Sequence, residues 1–192
     1  MGFQPGIKTI TVPLFALVVC GLLPAVCRAQ DSRSHGSAPA VSSLYTDISA
    51  GNCKHQSGET ETGGSVQECP GPAGYKLIIE DDDSRMSATV VTPNGEKHPL
   101  NYWHVVTQHF SSLGSKAEWR VARRERKTVP IALIIRVNAN EDPETSKVTS
   151  YLAVAKITAH EICVTDKIKP GAAANHEARS AADASASKPC LQ

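Results

Sequence analysis

The sequence predicts an α+β domain: a mostly antiparallel β-sheet with one C-terminal helix packed on it, held by two disulfides. Three observations predict it. Short apolar, β-branched runs separated by turn residues fill residues 75–166. An Ala-rich segment bracketed by prolines closes the chain. The cysteines that outlast an N-terminal export sequence are even in number.

The chain has 192 residues, with 20 Lys and Arg against 19 Asp and Glu. Lys8 precedes "TITVPLFALVVCGLL" (9–23), an apolar run of signal-peptide length. "PAVCRAQD" follows, with Cys27 at −3 and Ala29 at −1 of a cleavage after Ala29. A membrane anchor would need roughly 20 apolar residues, and Pro13, Gly21 and Pro24 interrupt this run. Val precedes both Cys20 and Cys27, which does not suit lipid attachment. The reading is a signal peptide over 1–29, a flexible leader over 30–43 and a single domain over 44–192. The mature chain is expected to be soluble, without a transmembrane anchor, and periplasmic or secreted. Loss of Lys8 and Arg28 moves its formal charge from +1 to −1. A near-neutral chain argues against nucleic acid as partner.

The elements follow in order. "YKLIIE" (75–80) and "RMSATVVT" (85–92) are two strands, and the polar "DDDS" between them predicts a hairpin. "TPNGEKHP" (92–99) carries the Asn-Gly turn dipeptide. "NYWHVVTQHF" (101–110) fits a strand or an irregular edge, and "SSLGS" breaks it. "AEWRVA" (117–122) alternates, and "RRERK" turns. "VPIALIIRVNA" (129–139) is apolar without alternation, as in a central strand covered on both faces. "VTSYLAVAKIT" (148–158) is the next strand, and "HEICVTD" (160–166) a short last one or its exit. "AAANHEARSAADASA" (172–186), between Pro170-Gly171 and Lys188-Pro189, predicts a helix of about 12–15 residues.

Cleavage leaves Cys53, Cys69, Cys163 and Cys190, which allow three pairings; adjacent pairing is preferred. Cys53–Cys69 would close a polar loop that cannot bury itself. Cys163–Cys190 would pin the C-terminus to the last strand. Redox chemistry would want a C-x-x-C pair, which is absent.

The chemistry-bearing residues match no catalytic or metal pattern, so no catalytic residue, metal ligand or cofactor is assigned. His98, His104, His109 and His160-Glu161 lack zinc-ligand spacing. On a strand, His104 and His109 would point to opposite faces. "EDDD" (80–83) lacks the spaced acids and central Gly of a calcium loop, and adjacent Arg85 can neutralise one acid. Nucleophile-elbow, P-loop and dinucleotide motifs are absent. "RVARRERK" (120–127) is the candidate binding patch: Trp119, Arg120, Arg123, Arg124, Arg126 and Lys127. An anionic ligand or an exported protein is the partner such a hairpin tip fits.

"CPGPAGY", "LGSKAEWR", "YLAVAKIT…EICVTD" and "ANHEARSAAD", in that order, resemble a group of exported bacterial proteins of unknown function. The resemblance covers about residues 44–190. It implies export and brings no activity, substrate or catalytic residue. Within its last motif, Asn175, Arg179 and Asp183 form a polar stripe at i, i+4 and i+8, and the Arg179–Asp183 spacing suits an ion pair. Ala174, Ala178, Ala181 and Ala182 form a small-residue face that suits close packing on a sheet. A non-catalytic exported domain that binds a partner or supports the envelope is the leading expectation. A secreted inhibitor or binding module acting through 54–68 or 120–127 is the second, and a hydrolase with a site assembled from distant residues the third.

Overall fold

The computed structural model describes residues 1–2, 40–56, 64–142, 144–145 and 147–192. All but the first two residues of the expected signal peptide, its expected cleavage point and most of the expected leader lie outside the described residues. The chain divides into two compact units, Met1–Gly36 and Ser37–Gln192, and the second is described here.

Ten strands form one sheet. β1 (Val41–Asp47), β7 (Ser111–Arg124), β8 (Lys127–Asp142), β9 (Lys147–Ile157) and β10 (Ile162–Ile168) make one antiparallel half. β2 (Lys54–His55), β3 (Ser65–Pro70), β4 (Lys76–Asp82), β5 (Arg85–Val91) and β6 (Lys97–Pro99) make the other. The halves join through one parallel pair, Arg85 beside Ser111, so the sheet is mixed rather than purely antiparallel. Among the described residues two α-helices accompany it: α1 (Tyr102–Val105) and α2 (Ala174–Asp183). Strand begins at Val41, inside the expected leader, because β1 finds a partner in β7.

The sheet folds over so that both halves bury side chains in one core. Leu77, Ile79, Ala88 and Val90 meet Trp119, Leu133, Ile135 and Val137 there. Ala132, Ile134, Leu152 and Val154 point the other way, against Ala178 and Ala182 of α2. β8 and β9 are therefore covered on both faces, which is why their sequences show no polar alternation. Pro130 is admitted in β8 where the register slips past Ile131, since a bulge needs no ladder donor.

Turn chemistry sets the hairpins. Asp83 and Ser84 take φ of 49° and 60° between β4 and β5, and Glu125 and Arg126 take 47° and 68° between β7 and β8. Paired positive φ values match the right-handed twist of two-residue hairpins. Gly95 takes φ 88° as its N–H closes on the Thr92 carbonyl at 2.9 Å.

Three further sequence expectations change. Residues 102–105 are a helical turn, not strand, entered through left-handed Asn101 at φ 49°. "SSLGS" does not break the chain but lies inside β7, which starts at Ser111 and slips register between Leu113 and Ala117. The helix is also shorter than expected, with a 3-10 turn at Ser185–Ser187 after it. The cysteines pair as preferred, Cys53–Cys69 and Cys163–Cys190. No helix among the described residues is long and apolar enough to cross a membrane.

Candidate functional site: the basic hairpin and the groove beside it

The landmark segments of the sequence converge on three consecutive residues of β7. Trp119 is fully buried, with its ring tilted 59° against Tyr75 at 6.1 Å and its Nε1 donating to Thr46 Oγ1 at 3.0 Å. Gly71 lies so close to it that a Cβ there would sit 2.8 Å from the indole. Cys69, fully buried in the same core, precedes Gly71. "CPGPAGY" is thus the seat of the tryptophan in "EWR".

The flanking charges face α2. Arg120 donates from Nε and Nη2 to the two carboxylate oxygens of Asp183, at 2.7 and 2.8 Å, and from Nη1 to Ser43 Oγ at 2.6 Å. Arg179 donates from Nε to Glu118 at 2.6 Å and from Nη2 to the Tyr45 hydroxyl at 3.0 Å. The Ser43 hydroxyl also donates to Glu118. The expected Arg179–Asp183 pair within the helix is replaced by two crossed pairs between helix and sheet. Each helix side chain finds a partner of opposite charge on β7, where both partners are mostly buried, so the sheet competes better than the exposed i, i+4 neighbour.

These pairs set the local electrostatics. Burial works against the Glu118 carboxylate, but hydrogen bonds from Arg179 and Ser43 and the Arg179 charge outweigh it, leaving its pKa below the ordinary value. The Asp183 hydrogen bonds raise Arg120, and the Glu118 contact raises Arg179. Asn175, the third residue of the stripe, lines a small cavity of about 150 Å³ with Tyr45, Lys116 and Arg136.

The candidate binding patch therefore divides. Trp119 and Arg120 are held inside the fold, whereas Arg123, Arg124, Arg126 and Lys127 are all exposed around the hairpin tip. Glu125 is the one acid among them. None of these four cations has an ion-pair partner among the described residues. Arg124 stands on the rim of a groove of about 410 Å³. Its walls are chiefly apolar: Val129, Pro130, Ile131, Ile157 and Ala186, with Tyr75. The groove adjoins a second cleft of about 280 Å³ through Tyr75, Thr158 and Ala159.

That second cleft brings together His98, His160, Glu96 and Glu161 from two facing turns. His98 Nε2 is 3.4 Å from Glu96, and Glu161 is taken by Lys156 at 2.6 Å. The Thr158 hydroxyl donates to the Glu161 carbonyl at 2.8 Å, and the Thr92 hydroxyl bonds within its own turn. Both hydroxyls are thus hydrogen-bonded within their turns.

The remaining candidates fall apart in space. His104 and His109 are not on opposite faces of a strand; with 102–105 helical, both line one shallow depression with Glu141 and Lys167. Glu141 also accepts from the Tyr151 hydroxyl, and that bond pushes the phenol up to about 12. The acids of "EDDD" are dispersed: Glu80 faces Thr89 across the pair, and Asp83 binds Arg85, as its neighbouring position suggested. Among the described residues the cluster with ligand-like spacing is Glu161, Cys163 and Cys190, whose two sulfurs are joined in the disulfide.

No family model matches the chain, and no curated protein or solved structure matches it either. Sequence reasoning found the hairpin cations from composition alone. It missed the groove, whose walls come from separate segments of the chain between Tyr75 and Ala186.

Proposed function

We propose that the chain is an exported, non-catalytic binding domain. Its partner is an acidic, partly apolar segment of another exported protein, seated in the groove beside the β7–β8 hairpin. The observation that carries this reading is the juxtaposition at Arg124: four exposed cations offset by one acid, gathered around a two-residue turn beside an apolar groove. Cations at the rim steer and select an acidic partner, while the apolar floor supplies area. Export is supported by the apolar 9–23 run and by two disulfides, which persist in oxidising compartments. The likeness to exported bacterial proteins of unknown function belongs to this proposal.

The test is an array of extended peptides that varies acidic and apolar content. The wild-type chain should retain acidic-apolar sequences, less so at high salt. Charge reversal at Arg123, Arg124, Arg126 and Lys127 should abolish retention while leaving the circular dichroism spectrum unchanged. Retention that ignores both salt and charge reversal would sink the reading.

The cleft at His98 and His160 favours a second reading, a hydrolase assembled from distant residues, because it is where histidines and carboxylates converge. Its threonine hydroxyls are engaged within their turns, so that hydrolase would have to activate water. Hydrolysis of ester or peptide substrates lost in His98→Ala and His160→Ala would establish it.

A further inference from the structure

The strand edges of this fold are treated unequally. Along the outer side of β10, the Leu191 N–H donates to the Val164 carbonyl at 2.8 Å. The Cys163–Cys190 disulfide holds that segment in place, and Lys188 clamps it to Asp166 at 2.7 Å. An extra residue, Thr165, bulges the strand as well. In the other half the outer strands are β2, two residues, and β6, three residues carrying Lys97 and Pro99. Short length, charge, proline, bulges and covering segments are the devices that keep an edge from pairing.

β1 has one charge, Asp47 at its end, and among the described residues no covering segment. It is seven residues, "VSSLYTD", with no proline, no lysine and an unbroken register on β7. No described residue pairs with its outer side. Ile48 donates to the Ser115 carbonyl at 2.8 Å and the Ala40 carbonyl accepts from Arg123, so even-numbered residues turn their backbone groups toward β7. The backbone groups of Val41, Ser43, Tyr45 and Asp47 therefore point outward. Leu44 and Tyr45 beside them are 41% and 53% exposed.

We infer that the outer edge of β1 pairs antiparallel with β1 of a second copy of this chain, making one continuous sheet across a twofold axis. The edge is self-complementary. Outward-facing residues must oppose one another, and only the register centred on Leu44 gives all four a partner: Ser43 opposite the partner's Tyr45, and Val41 opposite the partner's Asp47. That register sets Leu44 beside its own symmetry mate, so two exposed leucines are covered together. Asp47, the one charge on the strand, meets a valine rather than another carboxylate. The hairpin groove takes no part, and its fate in the peptide array is independent of this pairing.

The experiment uses the chain from Gln30 onward, by sedimentation and hydrogen exchange over about a hundredfold range of concentration. The average mass should rise toward twice that of one chain. The Ser43 and Tyr45 amides should exchange at least about tenfold more slowly at the high end, while the Leu44 and Thr46 amides, bonded to β7, stay protected throughout. Leu44→Lys should hold the mass at one chain, as should Val41→Pro, which removes an outward N–H without losing a backbone bond to β7. A mass of one chain at every concentration overturns the inference, even if that monomer captures other extended peptides. So does association that leaves the Ser43 and Tyr45 amides unprotected, or that persists in both variants.

Discussion

Glu118, Trp119 and Arg120 are adjacent in sequence and serve different masters, because a strand sends successive side chains to opposite faces. The indole goes to the core between the half-sheets, and the two charges go to α2. Asp183→Ala leaves Arg120 buried without its bidentate partner. The loss should be about 1–3 kcal/mol, less than for a fully buried pair because Asp183 is 37% exposed; urea unfolding measures it. Glu118 is held ionised by its partners, so its folded pKa lies below 4.5. Its contribution is complete above that value and is lost as pH falls through the lower folded one. Glu118→Gln should therefore flatten part of the acid limb of stability against pH, with Asp47, Glu141 and Asp142, also lowered by their hydrogen bonds, carrying the remainder. Gly71→Ala should cost about 1–3 kcal/mol, as the added methyl meets the indole and the Tyr75 carbonyl. A melting temperature unchanged by that methyl would count against the close approach.

At the scale of elements, each disulfide closes what the chain around it cannot. The Cys53 staple joins the β2–β3 hairpin, and its other half, Cys69, lies in the core. The Cys163–Cys190 bond ties the C-terminal segment along β10. Replacing Cys163 and Cys190 together by Ala should cost about 3 kcal/mol by the chain-entropy argument. It should also speed exchange of the Leu191 amide well beyond that of β9; equal protection of both would show the tail holds itself. Legibility followed periodicity. β8 and β9 could be read because unbroken apolar runs leave little else to form. Residues 101–110 could not, since their β-branched and aromatic content favours strand while the left-handed Asn101 starts a helical turn. The reach of β7 through "SSLGS" was hidden too. Gly and Ser are poor strand residues, and the segment is held there by Ala139, Asn138 and Val137 on β8.

For the molecule as a whole, local patterns made several features legible: an apolar run near the N-terminus, an even number of cysteines, a sheet with a closing helix and a run of cations in one turn. These depend on local patterns that survive without knowledge of partners. Which charges stand exposed was settled by long-range contact. Arg120 and Arg126 look alike in "RVARRERK", yet one is buried against Asp183 and the other exposed at a hairpin tip. Tertiary contact also sets Arg179 against β7 instead of Asp183, borders the hairpin with an apolar groove, and leaves the outer edge of β1 unpaired among the described residues. Each is a contact between residues far apart in the chain. Local propensity carries no term for such contacts, and their energy exists only once the sheet has folded over.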